Sequence, residues 1–168
     1  MSQDKVHIMV DLETYDVNPS AVILSIGACV IDAPEKRFYL ELDPTTQFER
    51  TVSMATKEWW SKQPMPIPIG SCHLYDALAQ FTFWIRSFNA EPVIWCKGTD
   101  FDVAILTHAY NQMSVAVPWK YNNTRDCRTI FKIANYTPKK AEHNALQDAI
   151  EQADDLLWAL NKLNGALA

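Results

Sequence analysis

The stretch His7-Ile8-Met9-Val10-Asp11-Leu12-Glu13-Thr14 decides how this chain is read. Ile8, Met9 and Val10 form an apolar run with no polar interruption, which predicts a short strand buried on both faces. Side chains alternate along a strand, so Asp11 and Glu13 leave on the same side, about 7 Å apart. Two like charges at the end of a buried strand repel each other and resist desolvation. A divalent cation held by oxygen ligands is an economical compensation. The other elements are then expected to bring further carboxylates to this pair.

Working outward, 14–20 is a polar turn containing Pro19, and 21–32 is β-rich enough for a second strand. Ala33-Pro34-Glu35-Lys36 has hairpin-turn composition, and 37–43 alternates as a third strand with Phe38, Leu40 and Leu42 on one face. Three strands joined by short turns predict an antiparallel meander. Helical patterning follows at 53–61, which carries Trp59 and Trp60 and stops at the proline-rich loop from Gln63 to Pro68. A second helix is predicted over 73–88, where Leu74, Ala77, Leu78, Phe81, Trp84, Ile85 and Phe88 recur at helical spacing.

A fourth strand at 92–96 ends before Gly98, a helix is expected over 102–112, and 122–127 reads as a brief fifth strand or connection before a short helix. The last helix begins after His143 and runs to about residue 163. Asn144 is placed to cap it, with Gln147 three residues on to reciprocate. The pattern predicts an α/β fold: a central mixed five-stranded sheet, its three antiparallel strands first, flanked by helices.

The chain has 168 residues, is 48% hydrophobic and carries a formal net charge of −5. That length and composition predict a single domain over 1–168. The charge argues against coating nucleic acid by electrostatics alone, but it does not exclude a nuclease whose carboxylates are neutralised by bound cations. No run of about 18 apolar residues occurs, so no membrane association is expected. The polar start Met1-Ser2-Gln3-Asp4-Lys5 does not have the form of a signal peptide. Cys29, Cys72, Cys96 and Cys127 form no CxxC pair, and reduced thiols in a cytoplasmic protein are the expectation.

Two further constellations stand out. Asp102 falls in Gly98-Thr99-Asp100-Phe101-Asp102, where Gly98 permits an unusual turn and Phe101 can anchor the following helix. His143 and Asp148 would point about 140° apart on one helix, but capping at Asn144 leaves His143 in the preceding loop and Asp148 in the first turns. A general base free to swing beside a rigid ligand follows from that arrangement. Taken singly, each position has a bland reading as a dipole-complementing or surface charge.

Taken together, Asp11-Leu12-Glu13-Thr14, Phe101-Asp102 and His143-Asn144-Ala145-Leu146-Gln147-Asp148 resemble the DEDDh 3′–5′ exonucleases of the RNase H-like superfamily in order and spacing. Within that group the chain is most similar to the phage-type exonucleases and the mycobacterial-type 3′–5′ exoribonucleases. The segments that carry this are Trp95 to Asp102, Glu58-Trp59-Trp60 with Gln63, and Arg125-Asp126-Cys127-Arg128-Thr129. Lys97-Gly98 departs from the asparagine that proofreading members place before the Phe-Asp pair.

The resemblance implies a metal-dependent hydrolysis of phosphodiester bonds from the 3′ end of DNA, with single-stranded ends preferred. It implies two Mg²⁺ or Mn²⁺ held by Asp11, Glu13, Asp102 and Asp148, with His143 as general base. Asp100 is read as a non-ligand. Thr14, Tyr15, Trp60 and Arg125 are the expected substrate contacts, with a core position the equal alternative for Trp60; Lys97, Arg128, Lys139 and Lys140 could also meet phosphates, although for these and Arg125 a solvated surface charge is the commoner role. His7, His73 and His108 are read as structural or surface residues. The first alternative is a 3′–5′ exoribonuclease, distinguished by how a 2′-OH is met. The second is a non-catalytic nucleic-acid-binding module, against which the intact set of five charged residues argues. The sequence leaves open whether the chain forms a homodimer.

Overall fold

The computed structural model describes residues 4–163, so Met1, Ser2 and Gln3 of the polar N-terminal stretch lie outside it. Three strands come first: β1 (Lys5–Thr14), β2 (Ile23–Val30) and β3 (Ala33–Glu41), followed by helices α1 (Met54–Ser61) and α2 (Leu74–Arg86). Then β4 (Glu91–Cys96), α3 (Asp102–Gln112), β5 (Thr124–Asp126), α4 (Cys127–Ile133) and α5 (Ala145–Lys162) alternate. The strands form one sheet in the order β3-β2-β1-β4-β5. β1–β2 and β2–β3 pair antiparallel, while β1–β4 and β4–β5 pair parallel. This is the expected mixed five-stranded sheet with its antiparallel strands first.

The central strand is buried on both faces, as its unbroken apolar run requires. Ile8, Val10 and Leu12 pack with Leu78 and Phe81 of α2 and with Ile105 and Leu106 of α3. Met9 packs the other way, with Cys127 and Phe131 of α4 and Ala149, Ala153 and Leu156 of α5. Asp11 and Glu13 continue the Met9 side, so both carboxylates emerge beneath α5.

The structure moves one turn. The hairpin between β2 and β3 turns at Ile31-Asp32, since Val30 pairs with Ala33, and Ala33-Pro34-Glu35-Lys36 already belongs to β3. Pro34 is tolerated there because β3 is the edge strand, where a missing N–H need not face a ladder partner. All four cysteines are free. Among the described residues, no helix is long and apolar enough to cross a membrane.

Candidate active site

Four local devices bring the acidic groups together. The first is β1 itself, which ends in an irregularity between Glu13 and Thr14. Strict alternation would place Tyr15 with Asp11 and Glu13; the irregularity breaks it, so that Glu13 and Thr14 both line the cleft. Tyr15 turns instead into a small core with Val22, Leu24 and Trp60.

The second device is the loop after β4. Gly98 adopts φ +128°, and its carbonyl accepts from the N–H groups of Phe101 and Asp102. This tight turn plants Asp102 at the first residue of α3, where its Oδ1 accepts from the Leu12 N–H at 3.1 Å. Asp100, two residues earlier, is exposed and ion-paired with Arg128 at 2.9 Å, away from the carboxylate cluster.

The third device is Gly27, the β2 partner of Asp11. A Cβ there would lie 2.1 Å from the Ala145 carbonyl carbon. Only a glycine lets the start of α5 approach the sheet this closely, and the approach lowers Asp148 onto Asp11 and Glu13.

The fourth is the cap of α5. Asn144 accepts from the Gln147 N–H at 3.0 Å, as expected, but the Gln147 amide reaches forward to Glu151 rather than back. Asp148 closes the preceding loop instead: its two oxygens accept from the N–H groups of Glu142 (2.7 Å) and His143 (2.9 Å). His143 is held in a left-handed conformation, φ +61°, with its ring edge-on to Trp59 at 4.6 Å between centroids. Its backbone is thus pinned to the helix that carries Asp148, where the sequence predicts a base free to swing.

Three of the acidic groups meet at one cleft of about 430 Å³, whose lining includes Asp11, Glu13, His143 and Asp148; Asp102 feels the charge of Asp11 but is not part of that lining. One ligand-type atom from each of Glu13, His143 and Asp148 lies within 4.8 Å of the others. The clustering is electrostatically costly. Burial, reinforced by Asp11 and Asp148, pushes the Glu13 carboxyl up to about 9. Burial likewise pushes Asp11 up to about 7, with Asp148 adding to the rise, while a hydrogen bond from Gln152 and the charge of Lys97 oppose it. Asp102 is driven well above the usual carboxylate range by burial and by neighbouring Asp11. Among the described residues no Lys or Arg forms an ion pair with any of the four. Buried or half-buried, mutually repelling carboxylates with no ion-pair partner among the described residues, beside an imidazole, fit the oxygen-and-nitrogen donor set of a divalent metal.

The expected substrate contacts divide. Thr14 lines the cleft, although its hydroxyl is already donated to the Asp16 carbonyl at 2.6 Å. Trp60 is 2% exposed and its indole N–H donates to the Thr14 carbonyl at 2.9 Å, so its main task is to brace the end of β1. The adjacent Trp59 is 38% exposed and stands at the cleft against His143. Tyr15 and Arg125 are not brought to the cleft; the Arg125 guanidinium donates to the carbonyls of Asn122 and Thr124. His7 accepts from the Trp95 indole at 3.0 Å, His108 meets Arg50, and His73 caps α2 through its backbone alone. Lys97, Lys139 and Lys140 share a small recess with Asp148 and Gln152 on the α5 side of the cluster.

Two residues at the site, Trp59 and Gln152, are given no site role by the sequence. Trp59 differs from Trp60 only by facing outward. Gln152 lies one turn beyond Asp148, with Asp155 a further turn on, and all three are buried on the same face of α5. A polar residue recurring at helical spacing on an otherwise apolar face was the available signal.

The family model described as the 3′–5′ exoribonuclease Rv2179c-like domain matches residues 6–158. No curated protein matches the chain. Among solved structures, cell-death related nuclease 4 (CRN-4) is similar with a TM-score of 0.59 at 15% identity, covering 95% of this chain and 65% of that one. The chain thus spans about 65% of that nuclease's length. The nuclease domain of 3′hExo, a DEDDh family member solved with rAMP, gives 0.63 at 10% identity, covering 95% and 92%. Pop2p of S. pombe, solved in a Mg²⁺- and Mn²⁺-bound form, gives 0.54 at 13%, covering 96% and 86%. At these identities the likeness establishes the fold, which is RNase H-like.

Proposed function

We propose, because the chain belongs to the Rv2179c-like 3′–5′ exoribonuclease domain family, that it trims RNA from the 3′ end and releases nucleoside 5′-monophosphates. That it is a 3′–5′ exonuclease follows from the family; the ribonucleotide preference is supported by the family's description and by the rAMP of the 3′hExo structure. The observation that carries the reading is the meeting of Glu13, His143 and Asp148 within 4.8 Å in an open cleft next to Asp11.

Asp11, Glu13 and Asp148 would hold one Mg²⁺ or Mn²⁺, and Asp102 together with Asp11 a second; the metal-bound Pop2p neighbour supports such ions. Bound cations would neutralise the carboxylates, lower the pKa of the attacking water and stabilise the charge on the leaving oxygen. The His143 imidazole nitrogen takes the proton from that water as it attacks phosphorus, and the 3′ oxygen of the shortened chain leaves. Trp59, exposed at the mouth and in contact with His143, offers an apolar face to the terminal base. Lys97, Lys139 and Lys140 supply positive charge for the phosphates on the α5 side.

Matched 5′-labelled RNA and DNA oligonucleotides, digested with Mg²⁺ or Mn²⁺ and with EDTA as control, test this. A ladder shortening from the 3′ end, faster on RNA, is expected. Faster digestion of DNA would restore the DNA substrate that the sequence suggests, and no digestion of either would leave a binding module.

A further inference from the structure

The four carboxylates are not held alike. Asp102 accepts from the Leu12 N–H, and both oxygens of Asp148 accept from the loop N–H groups of Glu142 and His143. Backbone donors orient these two. Asp11 differs: among the described residues, its carboxylate takes one hydrogen bond, from the side-chain amide of Gln152 at 2.8 Å.

Gln152 is only 6% exposed. Its Nε2 is committed to Asp11 Oδ1, while its Oε1 is buried with no hydrogen-bond partner. A 180° flip of the amide would offer Nε2 to whatever surrounds Oε1, but it would turn Oε1 toward a carboxylate that can only accept when ionised. The amide orientation is therefore dictated by Asp11, and an unpaired buried oxygen is tolerated to keep it. Nothing in the packing of α5 demands this residue. Ala149, Ala153 and Leu156 make the neighbouring contacts with the sheet, and an apolar side chain of the same size would leave no orphaned atom on α5, removing only the donor to Asp11.

We infer that Gln152 is a positioning residue: it holds Asp11 Oδ1 and thereby fixes which Asp11 oxygen is presented to a divalent cation. Because Gln152 sits one helical turn from Asp148, α5 sets two carboxylates at once, one as its own residue and the other through this amide. The inference rests on the reading of Asp11 as a metal ligand.

Gln152→Met keeps the volume and removes the donor, and Gln152→Leu repeats the test with a different shape. Three quantities are read: Mn²⁺ affinity from the EPR signal of free Mn²⁺, the thermal midpoint in EDTA, and kcat and KM on a 5′-labelled oligonucleotide. Mn²⁺ affinity is expected to fall about 10- to 100-fold, as for other residues that orient a ligand. The midpoint in EDTA should fall by only a few degrees, for the lost donor to Asp11, with KM for the oligonucleotide unchanged while kcat falls. Wild-type Mn²⁺ affinity in both variants would overturn the inference, and so would a fall in the EDTA midpoint of more than about 10 °C, beyond what one hydrogen bond accounts for, which would make Gln152 a packing residue. Asp11→Asn, measured alongside, separates the two levels. If it too binds Mn²⁺ normally, the ligand reading of Asp11 has failed; if it loses Mn²⁺ while the Gln152 variants do not, only the positioning role has.

Discussion

Glu13→Gln should make the metal-free protein more stable, and increasingly so as the pH rises. The Glu13 carboxyl is pushed up to about 9 by burial and by Asp11 and Asp148. In the unfolded chain it titrates near 4.3. A folded-state pKa above the unfolded value means that the native state binds the proton more tightly. The native state therefore pays no penalty at this site below about pH 4, and it loses stability steadily as the pH climbs through the interval up to about 9. At neutral pH the unfolded chain releases this proton and the folded one keeps it, a difference of about 2.7 pH units and so on the order of 4 kcal/mol. Local relaxation and water entry reduce that figure, and a realistic gain for the amide is about 2 kcal/mol.

For a protein of this size, 2 kcal/mol corresponds to about 4–8 °C in thermal midpoint. The assay is thermal unfolding followed by circular dichroism in EDTA, from pH 5 to pH 9, on wild type and E13Q. The difference between the two proteins, which removes effects common to both, should be near zero at pH 5 and grow toward pH 9. Saturating Mn²⁺ should reverse the order: it compensates the ionised cluster in wild type, so its stabilisation should be larger at pH 8 than at pH 6, and it should be largely lost in E13Q. Parallel pH profiles for the two proteins, or an Mn²⁺ effect independent of pH, would refute the claim that this cluster is a buried, uncompensated charge site.

His143→Ala should lower kcat by about 100- to 10,000-fold, the range for loss of a general base, while Mn²⁺ still raises the thermal midpoint. Gly27→Ala forces a methyl group against the Ala145 backbone; urea unfolding should show a loss of about 1–3 kcal/mol, accompanied by weaker Mn²⁺ binding as Asp148 is levered away from Asp11. Trp59→Ala removes the ring that braces His143 and should reduce kcat by on the order of ten- to a hundredfold with little change in stability, since the ring is partly exposed. Asp100→Asn, at an exposed ion pair with Arg128, should leave activity within about twofold of wild type.

The parts of this site that could be read in advance share one property: each is set by its nearest neighbours in the chain. The apolar run from Ile8 to Val10 names the central strand, and alternation alone puts Asp11 and Glu13 on one side of it. Gly98 forecasts the turn that delivers Asp102, and Asn144 the cap that separates His143 from the helix of Asp148. What stayed hidden depends on what lies across space. The irregularity at Glu13/Thr14 decides that Thr14, not Tyr15, faces the cleft, and no composition rule marks it. Trp59 and Trp60 are successive residues on α1, about 100° apart, and only the docking of that helix against the end of β1 determines which is buried. Pro34 looks like a turn until its strand is known to be the sheet's edge.

Gly27 and Gln152 show why the remainder resists a sequence reading. A glycine inside a strand signals close approach by something, but not by what; here it is the backbone at the start of α5. Gln152 could be recognised as polar on an apolar helix face, yet its partner is 141 positions away. Both act on the same pair, since Gly27 sets how near α5 comes to Asp11 and Gln152 sets how Asp11 is turned once it is there. The charges that define the chemistry are conspicuous because they are out of place in a core, whereas the groups that make their meeting tolerable are ordinary residues. Their role exists only after the helix has docked on the sheet.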